Sequence, residues 1–87
     1  MENVGEWTVH VHLFEHDDDR TLARAELKAP AKTLRAEGLA RRNPADTPAA
    51  EIGDELAVGR ALLDLGHQLI DIAFDDIAAL SGRAREH

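Results

Sequence analysis

The first half of the chain alternates between apolar and polar positions, which is the pattern of half-buried β-strands. Residues 6–16, 20–28 and 33–42 each predict one strand. The polar turn DDDR and the turn at Pro30 are short, so the three strands should pair as antiparallel neighbours. One face of this sheet then carries the apolar residues Trp7, Val9, Val11, Leu13, Ala23, Ala25, Leu27, Leu34 and Ala36.

The second half of the chain changes to helical periodicity after the loop NPADTPAA. Thr47 and Pro48 have the order of an N-cap followed by a first helical residue, which predicts a helix over about residues 49–73. Residues 75–81 predict either its continuation or a short second helix. The stripe expected to face the sheet steps by four and three residues, and it contains Ile52, Leu56, Gly59, Leu63, Gly66, Ile70 and Ala73.

These elements predict one α+β domain over residues 1–87, in which a three-stranded antiparallel sheet (β-β-β) precedes a long C-terminal helix. The helix also carries a second apolar stripe, for which a single sheet face has no room. An exposed leucine row on so small a domain is typical of an interaction surface. We therefore predict a homodimer whose interface is formed by Val58, Leu62, Leu65, Leu69 and Ile72.

The other face of the sheet should stay uncovered, because one helix covers only one face. The strand alternation places basic side chains on this face, with two histidines among them: Arg24, Lys28, Arg35, Arg41, His10 and His12. The whole chain has a net charge of -7, so this basic face is either a solvated surface or a footprint for RNA phosphates. Phe14 is the one aromatic residue expected there, which favours contact with backbone or duplex shape over base reading.

Residues that could perform catalysis or hold a cofactor do not form a known motif. The chain has no cysteine and lacks a nucleophile elbow or a phosphate loop, so we predict no enzyme and no cofactor. His10 and His12 have zinc-ligand spacing, but no other segment supplies an evident ligand, so we predict no metal site. The acidic charge argues against DNA. The absence of a signal peptide pattern or a long apolar run predicts a cytoplasmic protein without a membrane partner.

Several short stretches resemble a family of small actinobacterial proteins of unknown function. They are GLARRNPAD at 38–46, EIGDELAVGRALLDL at 51–65, the WTV start of the first strand, the acidic EH turn that follows it, and the second-strand pattern R-A-x-L at 24–27. The resemblance covers about residues 6–80. It implies a double-stranded-RNA-binding-like fold, a homodimer, and a likeness to ribosome hibernation-promoting factors with a role in stress or dormancy.

The residues and the resemblance together lead to two expectations about function. The first is a non-enzymatic, dimeric, stress-related protein that binds the ribosome or structured RNA through the basic face of the sheet. The alternative is a protein-interaction or structural homodimer with no nucleic-acid role. Salt dependence separates them, because phosphate contacts weaken steeply with salt and apolar contacts do not.

Overall fold

The computed structural model describes residues 5–17, 19–41 and 50–85. It contains three strands and one helix, which are β1 (Thr8–Asp17), β2 (Arg20–Ala29), β3 (Lys32–Arg41) and α1 (Ala50–Arg85). The strands form an antiparallel sheet in the order β1-β2-β3. The α+β fold predicted from the sequence is confirmed. The predicted N-cap at Thr47 and Pro48 lies outside the described residues.

The strand register confirms the two sheet faces that the alternation predicted. Val11 is opposite Ala25 and Ala25 is opposite Ala36, so these residues share the face that α1 covers. Arg24 is opposite Glu37 and lies on the other face. The pairing of β1 with β2 continues without a shift until an irregularity between Glu15 and Asp17.

The helix packs on the sheet with a different stripe from the one that was predicted. Ala57 and Ala61 are fully buried, and together with Leu65 they join the alanines of β2 and β3 in the hydrophobic core. The predicted sheet-facing residues lie on the solvent side of α1, where Leu63 is 64% exposed and Ile70 is 53% exposed. The predicted phase of the helix is therefore wrong, because the stripe that contains Ala57, Ala61 and Leu65 faces the sheet instead.

The close contact between helix and sheet is made by Gly38 of β3. A Cβ atom on Gly38 would overlap the carbonyl oxygen of Ala57 and the amide nitrogen of Ala61. Alanine side chains leave the helix backbone near the helix surface, so the glycine allows that backbone to lie directly on the strand. Gly59 and Gly66 belong to the stripe that was predicted to face the sheet, but a Cβ on either would meet no atom within 4 Å.

The stripe predicted as a dimer interface is largely used inside the chain. Leu65 is only 4% exposed, and Val58 and Leu69 pack against the core. Ile72 is half-buried, which leaves Leu62 as the exposed member, at 43%. The prediction fails for Leu65 in particular, because a residue enclosed between helix and sheet cannot contact a second molecule.

The helix is longer than the sheet and covers only part of it. It packs mainly on β3 and β2 and barely reaches β1, so Val9 and Leu13 remain about two-fifths exposed on the apolar face. Its 36 residues span about 54 Å, whereas a ten-residue strand spans about 33 Å. The helix continues through Asp75 and Gly82, so a separate short helix over 75–81 does not form. Among the described residues, no helix has the length and apolar character needed to cross a bilayer.

Two side chains of α1 bind the outer edge of β3. Arg60 donates a hydrogen bond from Nη1 to the carbonyl oxygen of Leu39 at 2.7 Å. Gln68 donates from Nε2 to the carbonyl oxygen of Arg35 at 2.8 Å and to the carboxylate of Asp64 at 3.3 Å. These bonds satisfy backbone acceptors that have no neighbouring strand, and they cover an edge that could otherwise pair with another chain.

We expect Gln68→Ala to lower the free energy of unfolding by about 1 kcal/mol, because a backbone acceptor loses its donor. Urea denaturation followed by circular dichroism measures this loss. The matched control is His67→Ala, since His67 is the exposed neighbour on the same helix. Equal losses in the two variants would show that the Gln68 hydrogen bond contributes nothing specific.

Candidate functional site: the open face of the sheet

The open face of the sheet, meaning the face that α1 does not cover, is built from rows of residues that run across the three strands. From one end to the other the rows are Thr8–Lys28–Thr33, His10–Glu26–Arg35, His12–Arg24–Glu37, Phe14–Leu22–Leu39 and Asp17–Arg20–Arg41. All six residues predicted as RNA contacts lie in these rows. The structure therefore brings together on one surface side chains from three separate segments of the chain.

Two glutamates on the open face pair with three of its basic side chains. Arg35 Nε lies 2.7 Å from Glu26 Oε2, and Lys28 Nζ lies 3.6 Å from Glu26 Oε1. Arg24 donates from Nε to Glu37 Oε2 at 3.0 Å. The basic side chains are half to three-quarters exposed, so these pairs add little to stability and can exchange partners.

The hydrogen bond from Arg35 is the largest cause that holds the pKa of Glu26 below its usual range. Partial desolvation raises this pKa, and the charges of Arg35 and Lys28 lower it further. Because the folded-state pKa is lower than the unfolded-state pKa, the stabilisation is present above the unfolded-state pKa and is lost as the pH falls through the folded-state pKa. Glu26 is therefore ionised at neutral pH and competes with any anionic ligand for Arg35.

The open face remains positive after its acidic residues are counted. By strand register, five basic residues stand against Asp17, Glu26 and Glu37 and leave a net charge of +2, on a chain whose total is -7. The five are Arg20, Arg24, Lys28, Arg35 and Arg41. Arg20 was not named from the sequence among the basic side chains of this face, although residue 20 was placed at the start of the second predicted strand. Its even-numbered spacing from Arg24 was the signal that could have found it.

An apolar row lies beside the charged rows of the open face. Phe14, Leu22 and Leu39 are neighbours across the strands, and Phe14 and Leu39 are each about two-fifths exposed. The Arg24 guanidinium carbon lies 5.1 Å from the centre of the Phe14 ring, which is a cation–π distance. This arrangement places the half-exposed Arg24 side chain between an aromatic ring and a carboxylate.

The open face lacks the features of a metal site or of an enclosed small-molecule site. Among residues 5–17, 19–41 and 50–85, no group of three metal-binding side chains comes together. His12 is opposite Arg24, whose positive charge disfavours a cation there. A cavity of about 450 Å³ runs beside the β3 edge, where Arg24 and Arg35 meet Glu37 and Asp64. It is lined mainly by these charged groups, whereas small-molecule pockets are mostly apolar.

Relatives of the chain are found among mycobacterial proteins. The uncharacterised protein Rv2632c of Mycobacterium tuberculosis (strain H37Rv) is 46% identical over 78 residues, which are 90% of this chain and 84% of Rv2632c. The uncharacterised protein Mb1767 of Mycobacterium bovis is 47% identical over 75 residues, which are 86% of this chain and 79% of Mb1767. The crystal structure of Rv2632c superposes with a TM-score of 0.80 at 42% identity and covers 100% of this chain and 99% of that one.

These matches support the family resemblance but not its finer implications. They do not address a double-stranded-RNA-binding likeness or a likeness to hibernation factors, so both remain predictions. The profile of the Rv2632c-like family matches residues 5–86, which is nearly the whole chain. The chain belongs to the Rv2632c-like family.

Proposed function

We propose that this chain is a non-enzymatic binding protein that contacts structured RNA, such as the RNA of the ribosome, through the open face of its sheet. The observation that carries the proposal is the net charge of +2 on that face, within a chain that is otherwise strongly acidic. A role in stress or dormancy rests on the family resemblance alone, and the proposal does not depend on it.

The arginines of the open face have the geometry that phosphate recognition needs. A guanidinium binds a phosphate through two parallel hydrogen bonds, as it binds a carboxylate. Arg24 and Arg35 already hold carboxylates of Glu37 and Glu26, so a phosphate would replace a partner of similar shape and charge. Arg41 extends the same positive surface beyond the apolar row. The regular backbone of a duplex can contact such a surface without base-specific readout.

The ion pairs also support a second candidate function. If Glu26 and Glu37 satisfy their basic neighbours permanently, the face is a solvated surface of mixed charge, and the protein acts only through contacts with other proteins. The exposed apolar residues on the outer side of α1, among them Leu63 and Ile70, favour this alternative. The two candidates differ in how binding should respond to the charge of the open face.

The test changes the charge of the open face in both directions. We expect Glu26→Gln combined with Glu37→Gln to tighten binding to ribosomes or a structured RNA by about threefold to tenfold, because two competing carboxylates are removed. Arg24→Glu combined with Arg35→Glu should weaken binding by at least about tenfold. Fluorescence anisotropy with labelled RNA and cosedimentation with ribosomes measure both changes.

A matched control places the same charge changes elsewhere on the chain. Glu55→Gln combined with Asp71→Gln removes two exposed acids of α1, and this variant should alter RNA affinity much less than the open-face pair. If both neutralised variants bind RNA equally well, only total charge matters and the open face is not the site. If neither wild type nor Glu26→Gln/Glu37→Gln binds RNA at low salt, the protein-interaction alternative takes its place.

A further inference from the structure

The solvent side of α1 carries an uninterrupted heptad pattern that the fold of a single chain does not use. Between Ile52 and Leu80, nine positions spaced alternately by four and three residues contain only apolar residues or glycine. We call this stripe the outer seam. Its large members recur every seven residues at Leu56, Leu63, Ile70 and Ile77, and each is about half exposed or more. Such spacing is the pattern of a coiled-coil contact.

The positions of the outer seam that alternate with these large residues hold small residues in the middle of the helix. Gly59, Gly66 and Ala73 are also seven residues apart. A Cβ on Gly59 or Gly66 would meet no atom within 4 Å, so no contact within the described chain explains either glycine. Glycine inside a helix weakens it, and two glycines at matched positions on an exposed helix imply a compensating contact. A second helix lying close against the seam would provide that contact.

The size of the outer seam reaches the minimum that a specific interface with another copy of the same helix needs. From Ile52 to Leu80 the helix is about 44 Å long, and a contact strip about 12 Å wide presents on the order of 500 Å² per copy. Two copies would bury on the order of 1,000 Å², which is the lower range of specific interfaces. The exposed side chains of Leu62 and Phe74 flank the strip and enlarge it.

The alternation of large and small residues determines the direction of pairing. In a parallel pair, large residues would meet large residues and glycines would meet glycines. Successive layers of side chains between the two helices would then alternate between overpacked layers and empty ones. In an antiparallel pair, large positions face small ones. Leu63 would then face Gly66 of the second copy, Leu56 would face Ala73 and Ile70 would face Gly59, and the two helices could approach closely.

From these observations we propose that the outer seam of α1 packs antiparallel against the same seam of a second copy of this chain. The resulting dimer has four layers, in the order sheet, helix, helix, sheet. The two open faces point outward on opposite sides and stay accessible. The proposed interface is a different surface from the open face, so the proposal does not depend on RNA binding.

The first test is the oligomeric state of the full chain, measured by sedimentation equilibrium. We expect a dimer for wild type and a monomer for Leu63→Glu combined with Ile70→Glu, with helical circular dichroism retained. The control variant Asp71→Asn combined with Asp75→Asn also changes the charge by two units, at exposed positions on other sides of α1, and it should remain dimeric. A monomeric wild type, or a seam variant that remains dimeric, would overturn the proposal.

The second test does not depend on how the charged seam variants fold. The chain has no native cysteine, so a variant with one cysteine can crosslink only to another copy. A mixture of Leu56→Cys and Ala73→Cys should crosslink through a short bismaleimide, whereas Leu56→Cys alone should not, because those positions are about 25 Å apart along an antiparallel pair. Efficient crosslinking of Leu56→Cys with itself would indicate a parallel pair and contradict the proposed arrangement.

Discussion

Replacing Gly38 with alanine is expected to lower the free energy of unfolding by about 3 kcal/mol or more, among the largest effects of any single methyl group in this protein. The added Cβ would overlap backbone atoms of Ala57 and Ala61 and would lie 2.9 Å from the Cβ of Arg60. Backbone atoms cannot rotate away as a flexible side chain can, so the helix must shift from the sheet. Thermal denaturation should show a melting temperature lower by about 12–24 °C.

The control for this variant is Gly82→Ala, where the new Cβ meets no atom within 4 Å. Gly82 lies in α1 outside the outer seam, and alanine favours helix over glycine by up to about 1 kcal/mol, so this variant should be neutral or slightly more stable. A melting temperature for Gly38→Ala within about 2 °C of wild type would contradict the close packing of α1 on β3.

Leu65→Ala is expected to cost about 2–5 kcal/mol of unfolding free energy, through lost burial and the cavity that remains. The core between α1 and the sheet consists mostly of alanines, so Leu65 and Leu27 are its only large side chains that are more than nine-tenths buried among the described residues. Loss of one of them removes a considerable part of the apolar contact. Urea denaturation at several protein concentrations measures the change and separates it from any change in association.

Leu62→Ala is the matched control, because Leu62 belongs to the same sequence stripe but is 43% exposed. We expect it to cost about 1 kcal/mol or less at a concentration where the chain is monomeric. If Leu62→Ala were as destabilising as Leu65→Ala, the described phase of the helix on the sheet would be incorrect.

The strands and their faces could be predicted from the sequence because their signal is local. Alternation in residues 6–16 and 20–28 sets the direction of each side chain, and short turns leave antiparallel pairing as the simplest arrangement. The ends of the strands were predicted to within two residues. The same alternation placed all the candidate basic residues on one face before any pairing was known.

The phase of the helix could not be predicted in the same way, because α1 has two apolar stripes and a third set of alanines. Hydrophobicity favoured the stripe with Leu56, Leu63 and Ile70 as the sheet contact. The contact between helix and sheet instead depends on side-chain size, because the alanine-rich sheet and Gly38 leave room mainly for small side chains on the facing helix. Shape complementarity between distant segments is not visible in local periodicity.

The ion pairs of the open face also could not be predicted from the pattern of each strand by itself. The partners of Glu26 and Glu37 depend on the strand register, which sets Glu26 beside Arg35 and Glu37 beside Arg24. A one-residue slip would have placed these side chains on opposite faces. The open face is therefore less basic than a list of its arginines suggests, and its net charge decides how strongly it can attract phosphate.

The open face and the outer seam would respond differently to salt. Phosphate contacts made by the open face release counterions and weaken as salt rises. Apolar contacts along the outer seam depend little on salt. A protein with both surfaces would stay dimeric across a salt range in which it dissociates from RNA. Measuring both properties on the same sample separates the two proposals.

The measurement that tests the central claim most directly is the affinity of the wild-type chain for ribosomes and for a structured RNA across a salt series. If Arg24, Arg35 and Arg41 each neutralise one phosphate, the account predicts that log K falls with log salt at a slope of about -3. Arg24→Glu/Arg35→Glu should abolish this dependence together with the binding. No binding at the lowest salt, or binding that does not change with salt, would contradict the proposal that the open face recognises RNA phosphates.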